Sequence, residues 1–473
     1  MERHAPLPAG FGLALDPATR RIDGGRVVIG GSPLRILRLT DAGADLVSRW
    51  AAGGEIGPGS GARRLARRLL ANGMAHPRPG PRSSECARVT VVIPVRDDPS
   101  GLERTLALLD EGVPTTVVIV DDGSRHPVQA SGRVVRRETA GGPAAARNAG
   151  FQASATDLIA FIDAGCEPSP GWFDALLPHF ADPSVAAVAP RILGRTDAGL
   201  PAWLDAYERA RPSLDRGPYE ASVHQRGRVP FVPTAALVVR RDALQAVGGF
   251  DEALRYGEDV DLVWRLVAAG WMVRYEPAAT VTHPSRKTAL AWLRQRFAYG
   301  TSAAPLASRH GSALAPLSIS GWSAAAWTLI GLGFPATGAA VAGATAAMLA
   351  PRLEGLEHPW IEAARLAGGG HIFAGRAVAD ALRRPWWPFA LAAAIVSKRA
   401  RRGVLAAFIL PPLLAWRSTR PKGIGPVAWI AVSTLDDVTY GAGVWAGCLR
   451  HRCVAALRPD LGNWPGRAPA VES

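Results

Sequence analysis

Val89–Asp98 reads VTVVIPVRDD, seven continuous apolar or β-branched residues running into Arg-Asp-Asp. An unbroken apolar run of that length predicts a strand buried on both faces, with its acids placed where the chain leaves the sheet. The pattern recurs in VVIVDDGS (Val117–Ser124), LIAFID (Leu158–Asp163) and VAAVAP (Val185–Pro190). Helical spacing occupies the intervals at Leu102–Glu111, Ala144–Ala153 and Trp172–Phe180. Strands alternating with helices predict an α/β fold, a mostly parallel sheet with helices on both faces and ligands at the carboxyl ends of the strands.

Outward from that block, residues 20–75 form a smaller unit. Thr40 or Asp41 is placed to cap a helix running to Trp50, and Arg63–Leu70 has the spacing of a second, as in a small helical or winged-helix module. His76–Glu85 (HPRPGPRSSE) reads as a linker, too rich in Pro to sustain a helix or a strand ladder. Beyond the sheet block, Ser312–Ala350 lacks any Asp, Glu, Lys, Arg or His, enough for two spans of ~20 residues broken at Gly333-Phe334-Pro335. Pro388–Ser397 and Val404–Trp416 flank the basic run KRARR, and Ile424–Leu449 is interrupted by Asp436 and Asp437; these suit re-entrant or interfacial helices. The expected division is 1–80, 86–305 and 306–460, the last a helical, membrane-associated region.

Of 473 residues 48% are hydrophobic, which supports packed domains rather than disorder. The net charge of +14 suits anionic lipid or a phosphorylated substrate, and no motif points to nucleic acid. Basic residues bordering the C-terminal stretches match loops facing anionic lipid on the cytoplasmic side. Cys86, Cys166, Cys448 and Cys453 are scattered without C-x-x-C pairs, which argues against a zinc or disulfide framework and for a reducing compartment. The opening MERHAPLPAG lacks the pattern of a secretory signal, so the expected location is the cytoplasmic face of the cell membrane.

The strand-end acids suggest transfer from a nucleotide diphosphate sugar. Pro94 and Asp97 at one strand end and Asp121 and Asp122 at the next are placed to meet a base and ribose, although DDGS is also an ordinary acidic turn. Gly141-Gly142-Pro143 opens a helix carrying Arg147 and Asn148, where free N–H groups and a guanidinium favour phosphate. Asp163 ends a strand where a D-x-D pair would hold Mg²⁺ or Mn²⁺, but Gly165 stands at the second position; Glu167 is the nearest substitute and His283 a further candidate ligand. Glu258-Asp259 precedes an apolar helix, placing Asp259 as general base for an inverting in-line displacement or as its N-cap. Arg294 and Arg296, on a helix before Tyr299-Gly300, are candidates to close over the diphosphate or to form a basic exposed face.

These motifs with GGFDEALRYGEDVDLVWRL (Gly248–Leu266) resemble the inverting family 2 glycosyltransferases of GT-A fold over about residues 88–300. GGSPLRILRL (Gly30–Leu39), AHPRPG (Ala75–Gly80), YEPAATVTH (Tyr275–His283), YGTSAAPLASRH (Tyr299–His310) and YGAGVWAG (Tyr440–Gly447) narrow the likeness to the mycofactocin system glycosyltransferases. The resemblance implies a UDP-glucose donor and glucose units built as a β-linked chain on the peptide-derived redox cofactor mycofactocin or its precursor. It assigns Pro94, Asp97, Asp121, Asp122, Arg147 and Asn148 to nucleotide binding, Asp163 to the first acid of D-x-D and Asp259 to the base, while Gly165 departs from the pattern. The N-terminal unit is similar to winged-helix peptide-binding domains of ribosomal-peptide cofactor pathways, which implies a precursor-peptide or partner-enzyme contact. The residues leave open two other readings, a polysaccharide or lipid-linked glycan transferase and a non-catalytic sugar-nucleotide or peptide scaffold.

Overall fold

The computed structural model describes residues 6–8, 10–80, 89–109, 115–130, 132–195 and 199–462. Cys86 and the acid Glu111 of the first expected helix lie outside them. Two compact units form: residues 1–197 with 211–285, and 198–210 with 286–473.

In the first unit Gly12–Leu15 pairs antiparallel with Ala75–Arg78, and Arg20–Ile22, Val27–Gly30 and Arg35–Arg38 make a three-stranded antiparallel sheet. Helices Asp41–Ala51 and Ser60–Ala71 bury Val47, Trp50, Leu69 and Leu70 against Val28. Thr40 caps the first, its side chain accepting from the Gly43 N–H. The expected linker begins later than His76: Ala75–Arg78 is a strand, because the buried His76 bonds Asp16 at 2.9 Å and Pro77, which lacks an N–H, stands in a two-stranded sheet with one free edge. Arg67 reaches out of this segment to Asp182 with two bonds of 2.6 and 2.8 Å, both partners buried.

The large sheet contains β1 (Val89–Val95), β2 (Thr115–Asp122), β3 (Arg133–Arg137), β4 (Leu158–Ile162), β5 (Glu167–Pro168), β6 (Val185–Arg195), β7 (Ala221–Ser222), β8 (Ala236–Arg240) and β9 (Met272–Pro284). Its order is β5-β9-β6-β8-β4-β1-β2-β3, with β7 also on β9. The sheet is mixed, which corrects the mostly parallel expectation. β1 runs parallel to β2 and β4, β2 to β3, and β6 to β9. β8 enters antiparallel to both neighbours, and the short β5 and β7 run antiparallel to β9. The sequence reading had no strand at ALVVR, the run that splits the parallel series.

Alternation along β1 sends its residues to two helical layers. Val89, Val91 and Ile93 join Leu102 of α1 (Pro99–Ala107) and Trp172 in one core. Val92 and Val120 meet α2 (Pro143–Ala153) on the other face, at Gly150, where an added Cβ would lie 2.2 Å from Val92. That missing side chain lets α2 rest directly on β1 and β2. A third helix, α3 (Glu258–Ala268), starts after Gly257 at φ 81° and buries Leu262, Val263 and Leu266.

The second unit is helical, and its helices include Ala202–Ala210, Ala289–Thr301, Pro335–Leu349, Pro359–Arg383, Trp387–Val396, Lys398–Thr419 and Pro426–His451. Ala289–Thr301 and Pro426–His451 approach closely through glycines: a Cβ on Gly300 would meet the Tyr440 carbonyl at 2.1 Å, and one on Gly443 the Phe297 carbonyl at 2.0 Å. Trp292 and Trp429 pack around Tyr207. No helix among the described residues is long and apolar enough to cross a membrane. The uncharged stretch after Ser312 does not form the expected spanning hairpin, because a 3-10 turn and the strand Ser318–Ser320 consume its start. What remains is two helices of 11 and 15 residues.

Candidate active site

At the end of β1, Asp97 takes a left-handed conformation (φ 52°) and stitches the first two strand ends together. Its N–H donates to Ser124 Oγ at 3.0 Å, and its carboxylate accepts from the Arg125 N–H at 2.9 Å. Pro94 stands one residue before β1 ends, paired with Val120. Asp121 is fully buried and accepts from the N–H groups of Ser124 (2.9 Å) and Val128 (3.2 Å) and from Arg136. Burial works to raise its carboxyl, yet these donors prevail and hold it below the usual range. Asp122 accepts from the N–H groups of Gly141 (3.0 Å) and Gly142 (2.8 Å) and from Arg137. The second strand-end pair is therefore spent on local bonds: Asp121 closes its own turn and Asp122 fastens the glycines that begin α2. Both carboxylates thus make the bonds of the acidic turn that DDGS also allowed. Arg136 and Arg137, on β3, are partners the sequence reading missed.

One turn into α2, Arg147 gathers the acids. It donates to Asp163 Oδ1 at 2.7 Å and to Glu258 Oε1 at 3.0 Å, with Phe250 under its guanidinium at 5.6 Å. Burial opposes its charge, but Asp163, Glu258 and Asp259 more than offset that and keep the cation firmly protonated. Residues 147, 163, 258 and 259, from three separate motifs, thus share one electrostatic site. Asn148 does something else: its amide donates to the Phe250 carbonyl and to Glu252, both at 2.9 Å, and its oxygen accepts from the Phe250 N–H at 2.9 Å. With every amide atom committed to Phe250 and Glu252, it braces that loop.

Asp259, in the first turn of α3, is pushed up to about 7. Burial of its carboxyl is the main cause and the neighbouring Glu258 the next; the Val260 N–H, Arg147 and Arg216 pull the other way. The helix N-terminus also favours the anion, but desolvation beside a like charge wins. A carboxylate that titrates near neutrality is matched to general-base work. Arg216, stacked 4.2 Å over the Phe231 ring, also escaped the sequence reading, since RPSLDRGPYE (Arg211–Glu220) carries no motif.

The proposed metal ligands do not converge. Asp163 offers a single carboxylate that already receives Arg147, and Glu167 is ion-paired with Arg195. No group of three ligating His, Cys, Asp or Glu side chains forms among the described residues, so His283, on β9, completes no such site. Gly165 sits at φ 87°, and an added Cβ would lie 3.3 Å from Pro284. Its N–H donates to the Gly101 carbonyl (3.0 Å) and Thr105 Oγ1 (2.9 Å), so this backbone is fitted to glycine rather than to a second D-x-D acid. The donor set does not fit a two-carboxylate cation site. Arg296, expected over the diphosphate, is buried in the helical unit, bonded to Glu208 at 2.5 Å and paired with Asp436 at 3.0 Å. Arg294 is exposed on the same helix. A cavity of about 430 Å³ behind α2, lined by Arg137, Asn148, Gln152, Gln245 and Glu252, includes none of the acids around Arg147.

A buried Arg thus gathers one acid from a strand end and two from the start of a helix beside a mixed α/β sheet, and the profile of Glycosyl transferase family 2 matches residues 90–248. The chain belongs to the pre-mycofactocin glycosyltransferases: it is 40% identical over 474 aligned residues to the Mycobacterium tuberculosis (strain CDC 1551 / Oshkosh) Pre-mycofactocin glycosyltransferase, covering 96% of this chain and 98% of the relative. It is also 32% identical to the N-acetylglucosaminyl-diphospho-decaprenol L-rhamnosyltransferase of the same organism, across 27% of this chain and 47% of that one. Among solved structures, a mannosyltransferase from Pyrobaculum calidifontis in complex with GDP-Man and Mn²⁺ aligns over 76% of this chain and 89% of its own, at 18% identity and a TM-score of 0.39.

Proposed function

We propose that this chain is an inverting glucosyltransferase that moves glucose from UDP-glucose to the mycofactocin precursor. Near full-length likeness to the pre-mycofactocin transferase supports the acceptor, and the raised Asp259 carboxyl among acids gathered by Arg147 carries the mechanism. In the step we assign, Asp259 removes the acceptor hydroxyl proton as that oxygen bonds the anomeric carbon. The bond from that carbon to the diphosphate breaks on the opposite face, its electron pair leaving with UDP. Arg147 is a positioning residue: it fixes Asp163 and Glu258 and tempers the charge beside Asp259. The Asp163 oxygen not held by Arg147 is the group we assign to the donor.

The test is incubation of the purified chain with UDP-glucose and pre-mycofactocin. A gain of one hexose on the acceptor by mass spectrometry, with stoichiometric UDP, supports the assignment. UDP-glucose hydrolysis without acceptor gain, or transfer only to a polyprenyl-linked glycan, overturns it.

A further inference from the structure

Beside its apolar cores, the helical unit buries ion pairs and leaves many large apolar side chains on its surface. Its buried ion pairs include Arg383 with Asp437 at 2.9 Å and Arg296 with Glu208, and the partly exposed Arg384 also bonds Asp437 at 2.7 Å. Its outside carries nearly all the exposed large hydrophobic side chains among the described residues; Leu34, Ile36, Leu108, Val134 and Tyr219 are those of the other unit. A soluble domain scatters such residues singly, and a contiguous set marks a surface meant to be covered.

The set is densest on the helical hairpin formed by Trp387–Val396 and Lys398–Thr419. Ile395 is 78% and Val396 87% exposed at the turn, and Phe389, Leu405, Leu410 and Leu414 are exposed along the same two helices. At the turn between the two helices, Ser397 caps the second helix by accepting from the Ala400 N–H, and Lys398, Arg399, Arg401 and Arg402 follow at once, all exposed. Neither helix is apolar and long enough to span a bilayer. Apolar side chains next to a clustered positive charge complement a surface that is apolar below and anionic above, which is the boundary layer of a membrane rich in acidic lipid.

We propose that this hairpin is a membrane-surface anchor that lies in the headgroup layer of an anionic bilayer, with Ile395 and Val396 inserted and the KRARR cations on the lipid phosphates. The basic face selects the acidic lipid, and the apolar face supplies adhesion that salt does not remove.

Sedimentation of the full chain with vesicles tests it. One set is phosphatidylcholine alone and the other contains one third phosphatidylglycerol. The chain is expected to bind the anionic vesicles, to lose at least tenfold in affinity with Ile395→Asp and Val396→Asp combined, and to lose roughly fivefold for each basic residue of the run changed to Gln. Circular dichroism and glycosyl transfer unchanged in the Ile395→Asp/Val396→Asp protein keep the loss from being one of folding. Failure to bind either vesicle, or binding indifferent to both sets of changes, overturns the proposal. So does a concentration-dependent dimer in lipid-free buffer that Ile395→Asp/Val396→Asp dissociates, since a second copy would then be the cover.

Discussion

Glu258 raises Asp259 and shares Arg147 with it, so Glu258→Gln should move the pH dependence of catalysis in a foreseeable direction. Burial and the neighbouring Glu258 push the Asp259 carboxyl up to about 7, roughly 4 kcal/mol of extra cost for ionising it. Burial is the largest cause and persists in the variant; the charge of Glu258 is the next and disappears, while Arg147 loses one of its carboxylate partners and pulls harder on Asp259. We expect the acid limb of the kcat/KM profile to fall by about one pH unit, about 1.4 kcal/mol. The plateau should change much less than the limb. The assay is initial-rate UDP release across pH 5 to 9 at subsaturating acceptor. A limb that stays in place, or moves to higher pH, would refute the assignment of Asp259 as base.

Asp259→Asn should reduce kcat by about 10²- to 10⁴-fold, the span of general-base contributions, yet raise thermal stability at pH 8. An aspartate with a raised native pKa stabilises the fold below its unfolded value and loses that contribution as pH rises through about 7. The difference in melting temperature should therefore vanish near pH 4, and an equal Tm at pH 8 would contradict it. Arg67→Met strands the buried Asp182, and a cost of about 3–5 kcal/mol in urea unfolding is expected; a cost under about 1 kcal/mol would show the pair to be solvated. Gly165→Asp should not create a metal-dependent enzyme. The left-handed backbone adds a strain of about 1–2 kcal/mol, so a rate increase in Mn²⁺ over the parent would count against the geometric argument.

Much of the α/β frame could be read from the chain because β1, β2 and β4 are continuous apolar runs, a signal that needs no partner to interpret. The antiparallel β8 could not, since its direction depends on where the preceding segment crosses the sheet. Arg147, Asp163 and Asp259 were legible as acids and a cation at element ends, and they do converge. Asp121 and Asp122 were legible only as acids. Whether such a residue faces a ligand or a backbone amide is set by the neighbouring loop, here Ser124 and Gly141-Gly142. The C-terminal stretch failed as a spanning hairpin for a related reason: hydropathy sums over a window, and it is blind to where a turn interrupts the helix.

Gly150 touches no reactant and carries no charge, yet it sets the depth of the whole cation site. Arg147 rides one turn earlier on the same rod, and the rod rests on Val92 and Val120 through a gap the width of a methyl group. Fill that gap and the helix must ride outward, lifting the guanidinium off Asp163 and Glu258 together. A catalytic survey confined to polar positions would overlook the hydrogen atom on which the alignment of all of them rests.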